Sequence, residues 1–182
     1  KGMGFCLFNN VAVAAAQLRA VHGLERVAIL DFDVHHGNGT QEIFWQDPSV
    51  YFVSLHRDRF YPGTGDAGET GEGKGKGANL NLPLGASTQP VAYLDAFRAA
   101  LDGVASFKPE FLLVSAGFDA YVHDPIGGLN LELEHFQTIG AELRGLADDL
   151  CGGRLVSTLE GGYAIDALGD LAAAYSSGLA KL

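Results

Sequence analysis

Positive charge is scarce in this sequence: twelve Lys and Arg stand against 22 Asp and Glu, for a formal net charge of −10. Lys74 and Lys76 fall close together but form no basic stripe, and a phosphate backbone needs one, so direct nucleic-acid binding is excluded. The acidic balance suits a cationic ligand and equally suits plain solubility. Cysteine is rarer still, with only Cys6 and Cys151 in no C-x-x-C spacing. That usage fits a reducing compartment and two small buried side chains better than a disulfide. Long apolar runs are missing too: none approaches the roughly 20 residues of a membrane helix, so no membrane partner is expected. The opening residues lack a signal-peptide core and cleavage site, and a cytoplasmic location is the expectation. Repeats and low-complexity tracts are absent, which leaves 182 residues, 47% of them hydrophobic, as one domain with one core.

What is present is an alternation of short apolar runs with helical periods. Helices are predicted over Val11–His22, ended by Gly23, over Gln89–Phe107 with Leu94, Phe97, Leu101 and Val104 on one face, over Leu131–Leu150, and over Ile165–Ser177, stopped by Gly178. Strands are predicted over Arg26–Asp33, Val50–Leu55, Phe111–Ser115 and Arg154–Leu159. Between them Gly63–Gly77, with seven glycines, reads as a loop. Continuously apolar strands separated by helices indicate an α/β fold, a parallel sheet covered by helices on both faces. Chemistry in such sheets collects at the carboxyl ends of the strands. The chain opens on a glycine-flanked apolar segment and a helix with no strand before them, so the expected domain, residues 1–182, lacks its N-terminal part.

Three strand ends carry polar residues. The first runs Asp31-Phe32-Asp33-Val34-His35-His36-Gly37, and a two-residue period places Asp31, Asp33 and His35 on one side. Two carboxylates buried beside an imidazole cost several kcal/mol without a compensating cation or donors, so a metal is the simplest reading. The alternative is that both aspartates cap the following turn while His35 is solvated. The second strand end, Ser115-Ala116-Gly117-Phe118-Asp119, brings another carboxylate that could meet Asp33 and His35. Two Asp and one His form a three-ligand set with an open position, suited to a catalytic Zn2+ and also to Fe2+ or Co2+. The third is Glu160-Gly161-Gly162-Tyr163, whose glycines would let a tyrosine hydroxyl approach the strand ends as an oxyanion donor; the alternative is a core tyrosine with its hydroxyl at the surface.

These motifs, with Gly4-Phe5-Cys6-Leu7-Phe8-Asn9-Asn10, DFDVHHGNGTQ from Asp31 to Gln41, Val53-Ser54-Leu55-His56, Phe60-Tyr61-Pro62-Gly63-Thr64-Gly65 and Ser115 to Gly127, resemble the histone deacetylase family, which includes bacterial deacetylases and acetylpolyamine amidohydrolases. The resemblance implies an arginase/deacetylase fold and zinc-dependent removal of acetyl groups from acetylated lysine or acetylpolyamine. It implies Asp33, His35 and Asp119 as zinc ligands, and Tyr163 as the residue that polarises the carbonyl. It implies Asp31, Ser54 and the Leu55 backbone around a structural K+. Phe5 and Tyr61 would wall a narrow channel for the acyl-amine stem, an aromatic pair suited to an aliphatic chain, with Gly4 and Gly162 lining the same cleft.

The departures are specific. Members of the family carry a tandem His-His pair upstream of the Gly-Phe-Cys motif as general base and acid, and this chain has none there. His35-His36 cannot substitute, because His35 is needed on the metal. Asn38 stands where some members have an Asp that orients one of those histidines. Three readings follow: a deacetylase for acetyl-lysine in proteins, an amidohydrolase for acetylpolyamine or another small amide, and a non-catalytic remnant that binds metal or acyl-lysine.

Overall fold

A computed structural model describes residues 2–180; Lys1, where the expected domain begins, lies outside the described residues. Five strands form one parallel sheet, β1 (Val27–Asp31), β2 (Val50–Arg57), β3 (Asn79–Leu84), β4 (Phe111–Ala116) and β5 (Leu155–Leu159), in the order β3-β2-β1-β4-β5. The helices are α1 (Asn10–His22), α2 (Asn38–Phe44), α3 (Pro90–Phe107), α4 (Leu133–Cys151) and α5 (Ile165–Ala180). No helix among them is long and apolar enough to cross a membrane.

The strand pleat sorts the core into two layers. Val27 and Ile29 of β1 join Val50, Phe52 and Leu113 beneath Val11, Ala12 and Ala15 of α1 and Phe44 of α2. Their neighbours Ala28 and Leu30 point the other way, with Val53, Leu112 and Val114, against Phe97, Val104, Phe136, Ile139, Leu143 and Tyr175 of α3, α4 and α5. Every residue of β1 is buried, the signature of a central parallel strand packed on both faces. At one edge, β5 leaves Val156 48% and Leu159 62% exposed.

Local signals explain most boundaries. Asn9 caps α1 by accepting from Ala12 N, and its amide reaches Thr40 Oγ1 in α2 at 2.9 Å. Gly23 ends α1 as expected. The structure departs from the sequence reading in four places. The first strand stops at Asp31, so Asp33 and His35 lie in the turn beyond it. Asn38–Phe44 forms a short helix, and Asn79–Leu84 forms an edge strand that tolerates Pro83 because an edge needs fewer ladder donors. Gly178 does not stop α5, which continues to Ala180. A Cβ on Gly178 would meet the Gln137 carbonyl of α4, and one on Gly140 would meet the Tyr175 carbonyl of α5. The glycine serves a close helix crossing.

Candidate metal centre

At the carboxyl ends of β1 and β4, ligand atoms of Asp33, His35 and Asp119 lie within 4.8 Å of one another. The turn after β1 is built by its own aspartates: Asp31 Oδ1 accepts from Asp33 N at 3.1 Å, and Asp33 Oδ1 accepts from His35 N at 2.8 Å. The turn-capping reading of these carboxylates is therefore correct in part, and Asp33 Oδ1 also faces the imidazole. His35 Nδ1 sits 2.9 Å from Asp33 Oδ1 and 3.1 Å from Asp119 Oδ2. Asp33 Oδ2 accepts from Gly161 N at 2.7 Å, and Asp119 Oδ1 from Val34 N at 2.9 Å. Asp31 does not share this face: it is outside the cluster, opposite Ser54 in the sheet register. The correction follows from the strand ending at Asp31, since the two-residue period holds only within the strand.

Electrostatics favour a cation here. Asp119 is fully buried, and among the described residues its Oδ2 faces one polar partner, His35 Nδ1 at 3.1 Å. Burial, reinforced by the charge of Asp33, raises its carboxyl to about 6. Asp31 is raised well above the usual range by burial and then by Asp33 and Glu160. Burial opposes charge on His35, yet hydrogen bonds to Asp119 and Asp33 outweigh it and lift the imidazole to about 10. Space is reserved as well: a Cβ on Gly161 would collide with Asp119 Oδ2 and lie 2.5 Å from Asp33 Oδ2, and one on Gly117 would collide with Asp33 Oδ2. An oxygen-and-nitrogen set of this kind is able to coordinate a divalent metal ion.

Aromatic rings surround the cluster. The His35 ring lies 6.1 Å from that of Tyr61 and 6.5 Å from that of Tyr163, both edge to face. Phe5, 94% exposed, meets Tyr163 at 6.4 Å, and Gly4 N donates to the Tyr61 hydroxyl at 3.1 Å. Burial, then Asp33 and Asp119, push the Tyr163 phenol up to about 12, so it stays protonated and able to donate at neutral pH. Gly162, at φ 140°, makes the turn that delivers Tyr163, a conformation side chains other than glycine rarely adopt.

Comparison with known proteins decides the family. The model for the histone deacetylase domain matches residues 1–179. The chain belongs to the histone deacetylase family. It is 45% identical over 167 residues to histone deacetylase 14, chloroplastic, of Arabidopsis thaliana, covering 91% of this chain and 40% of that protein. It is 45% identical over 165 residues to a histone deacetylase-like amidohydrolase of Pseudomonas aeruginosa, covering 90% of this chain and 43% of that protein. Among solved structures, acetylpolyamine aminohydrolase from Burkholderia pseudomallei superposes with a TM-score of 0.89 at 38% identity, over 96% of this chain and 50% of that one. The chain thus spans half or less of the length of these relatives. The sheet flanked by helices is the arginase/deacetylase fold.

Several residues of this deacetylase-family site are not evident from sequence. His36 holds Thr64 Oγ1 at 2.8 Å and Gln41 Oε1 at 3.0 Å. His56 contacts Ser54 Oγ and the Gly65 carbonyl, each at 3.0 Å. A carbonyl only accepts, so His56 Nε2 carries the proton and Nδ1 accepts from Ser54. Together the two rings fasten the start of the glycine-rich loop, just after Tyr61. Burial, then the nearby His36, lowers His56 from 6.5 to about 4. A neutral buried histidine stabilises the fold fully above the unfolded value, and that contribution is lost as pH falls from 6.5 toward 4. Between about pH 7.5 and about pH 5.5, His56 accordingly removes roughly 1.3 kcal/mol of stability. Denaturant unfolding of wild type and His56→Gln at both pH values checks this, and an equal pH-dependent loss in the variant would refute it.

Proposed function

We propose that this chain carries the metal-holding and carbonyl-polarising part of a deacetylase-type amide-hydrolysing site, with zinc as the expected ion on Asp33, His35 and Asp119. The observation behind it is the buried Asp119 Oδ2, faced among the described residues by His35 Nδ1 at 3.1 Å and set with Asp33 Oδ2 against a cradle kept open by Gly117 and Gly161. A divalent cation there supplies Lewis acidity toward an amide carbonyl and a water. The chain's own residues do the rest. Tyr163, held protonated, donates to the oxygen on which negative charge develops. Phe5 and Tyr61 flank an aliphatic acyl-amine stem, with Gly4 and Gly162 leaving room in the same cleft. Asp31, the Ser54 hydroxyl and the Leu55 carbonyl offer an all-oxygen setting for K+ on the far side of the turn, where an unneutralised Asp31 is disfavoured by burial.

A proton acceptor is the part the chain does not supply. Its only adjacent histidines are His35 and His36. The first belongs to the cluster, and the second, like His56, is engaged in fastening the loop. The chain alone therefore binds metal and acylated amine with little or no turnover. A second reading, deacetylation of acetyl-lysine peptides or acetylpolyamines, is favoured by the Tyr163 geometry and by relatives named for both kinds of activity.

Incubating the zinc-loaded chain with an acetyl-lysine peptide and an acetylpolyamine, with and without a hydroxamate, separates the two readings. Chelator-sensitive hydrolysis would establish the second; zinc bound without hydrolysis supports the first. Tyr163→Phe is expected to keep wild-type metal content and to lower any turnover by ~10²–10³-fold. Full turnover in that variant would remove Tyr163 from the reaction.

A further inference from the structure

Tyr163 is delivered by a turn outside any strand or helix, and its placement needs a fixed support. The Asp-Pro-Ile-Gly turn at 124–127 supplies one. Asp124 is 8% exposed. Its Oδ1 accepts from Ile126 N at 2.9 Å and Gly127 N at 2.8 Å, closing its own turn. Its Oδ2 accepts from Tyr163 N at 2.7 Å and Ala164 N at 3.1 Å, across 39 and 40 residues of sequence. One buried carboxylate thus takes four main-chain N–H groups, two from each side.

The turn is itself anchored to the metal cluster. Gly127 packs so closely on the backbone of Asp119 that a Cβ there would collide with the Asp119 carbonyl and lie 2.8 Å from Val34 Cγ1. The Gly127 carbonyl accepts from Arg57 Nη1 at 3.0 Å, tying the turn to β2. Phe118 N donates to the Gly161 carbonyl at 2.8 Å, so the segment carrying Asp119 and the one carrying Tyr163 are joined on both sides of the cluster.

We propose that Asp124 is a positioning residue for Tyr163, its carboxylate clamping the Tyr163–Ala164 main chain to the segment that carries Asp119. The proposal rests on the reading of Tyr163 as the hydroxyl donor. Asp124 touches neither metal nor substrate; it sets where the phenol stands relative to the carboxylate cluster. A carboxylate is required because both of its oxygens face donors. An asparagine would turn its amide N–H groups on one of the two pairs, setting donor against donor. Displacing a reacting group by about an ångström is enough to cost about a hundredfold in rate, so the clamp bears directly on the hydroxyl's function.

The test begins on the wild type: Tyr163 and Ala164 amides, outside regular structure, are expected to exchange with solvent at least about a hundredfold more slowly than free amides, and unprotected amides would overturn the clamp. In 3-fluorotyrosine-labelled, metal-free chain, the 19F resonance that disappears in Tyr163→Phe should shift and broaden in Asp124→Asn, while those of Tyr51 and Tyr93 stay in place. An unmoved Tyr163 resonance overturns the proposal whether or not the site takes up metal. With zinc bound, Asp124→Asn and Tyr163→Phe should each weaken acetohydroxamate binding about tenfold, and the double variant should lose no more than either alone. Additive losses would show that Asp124 acts independently of Tyr163 and refute the proposal. If Tyr163→Phe leaves hydroxamate affinity unchanged while exchange and 19F behave as expected, the hydroxyl-donor reading fails and the clamp stands.

Discussion

Asp119→Asn is expected to abolish zinc uptake while leaving the metal-free fold intact. Asparagine retains an oxygen for Val34 N, so that buried N–H keeps its acceptor, whose loss would cost about 1–3 kcal/mol. The other oxygen becomes an amide nitrogen, which cannot ligate and removes a negative charge from a fully buried position. Loss of a residue that only supports a metal ligand costs about 10- to 100-fold in affinity, and loss of one of three ligands exceeds that. Zinc content by atomic absorption should fall from one per wild-type chain to none. The wild type should gain about 2.7 kcal/mol of stability at a hundredfold excess of zinc over its dissociation constant, and the variant should gain nothing. A variant that bound one zinc at wild-type affinity would show that the three residues are not the ligand set.

Gly161→Ala should be nearly as damaging, for a reason of volume alone. The backbone at Gly161 is outside the left-handed region, so alanine meets no conformational barrier there. Its methyl, however, would occupy the space of the Asp119 and Asp33 Oδ2 atoms. The peptide cannot retreat easily, because its N–H is committed to Asp33 and its carbonyl to Phe118 N. The carboxylates must separate instead, at about 1–3 kcal/mol of overpacking and with an expected loss of zinc affinity above about tenfold. Competition against a chromophoric chelator measures that affinity. A Gly161→Ala chain with wild-type affinity would mean that the carboxylates stand farther from Gly161 in the loaded protein.

Much of the architecture was legible because buried parallel strands announce themselves as unbroken apolar runs, and the segments just beyond β1 and β4 carry the carboxylates that meet. Asp33, His35 and Asp119 could be read together for that reason. The strand period put Asp31 on their face as well, and it departs because the chain turns through a hydrogen bond from Asp33 N to the Asp31 side chain. β3 escaped notice because Asn79-Leu80-Asn81-Leu82-Pro83 emerges from a glycine-rich loop and carries a proline. Gly178 was misread for a physical reason: a glycine needed to let two helices touch looks, in one dimension, like a glycine that ends one. Asp124 did leave a signal, an Asp-Pro turn start with glycine at the fourth position. What it holds, 39 residues downstream, is visible only in three dimensions.

The edge at β5 has a colloidal consequence. A strand with backbone groups unpaired on one side and with exposed Val156 and Leu159 is a template on which a second copy can add by main-chain pairing. Nothing in the shape of β5 guards against this, as its five residues include no charge and no proline. Mutual repulsion between chains of net charge −10 provides the guard, and it vanishes near the isoelectric point of about 4.8. Mildly acidic buffers and high salt are therefore the conditions in which this polypeptide, handled alone, is expected to associate edge to edge.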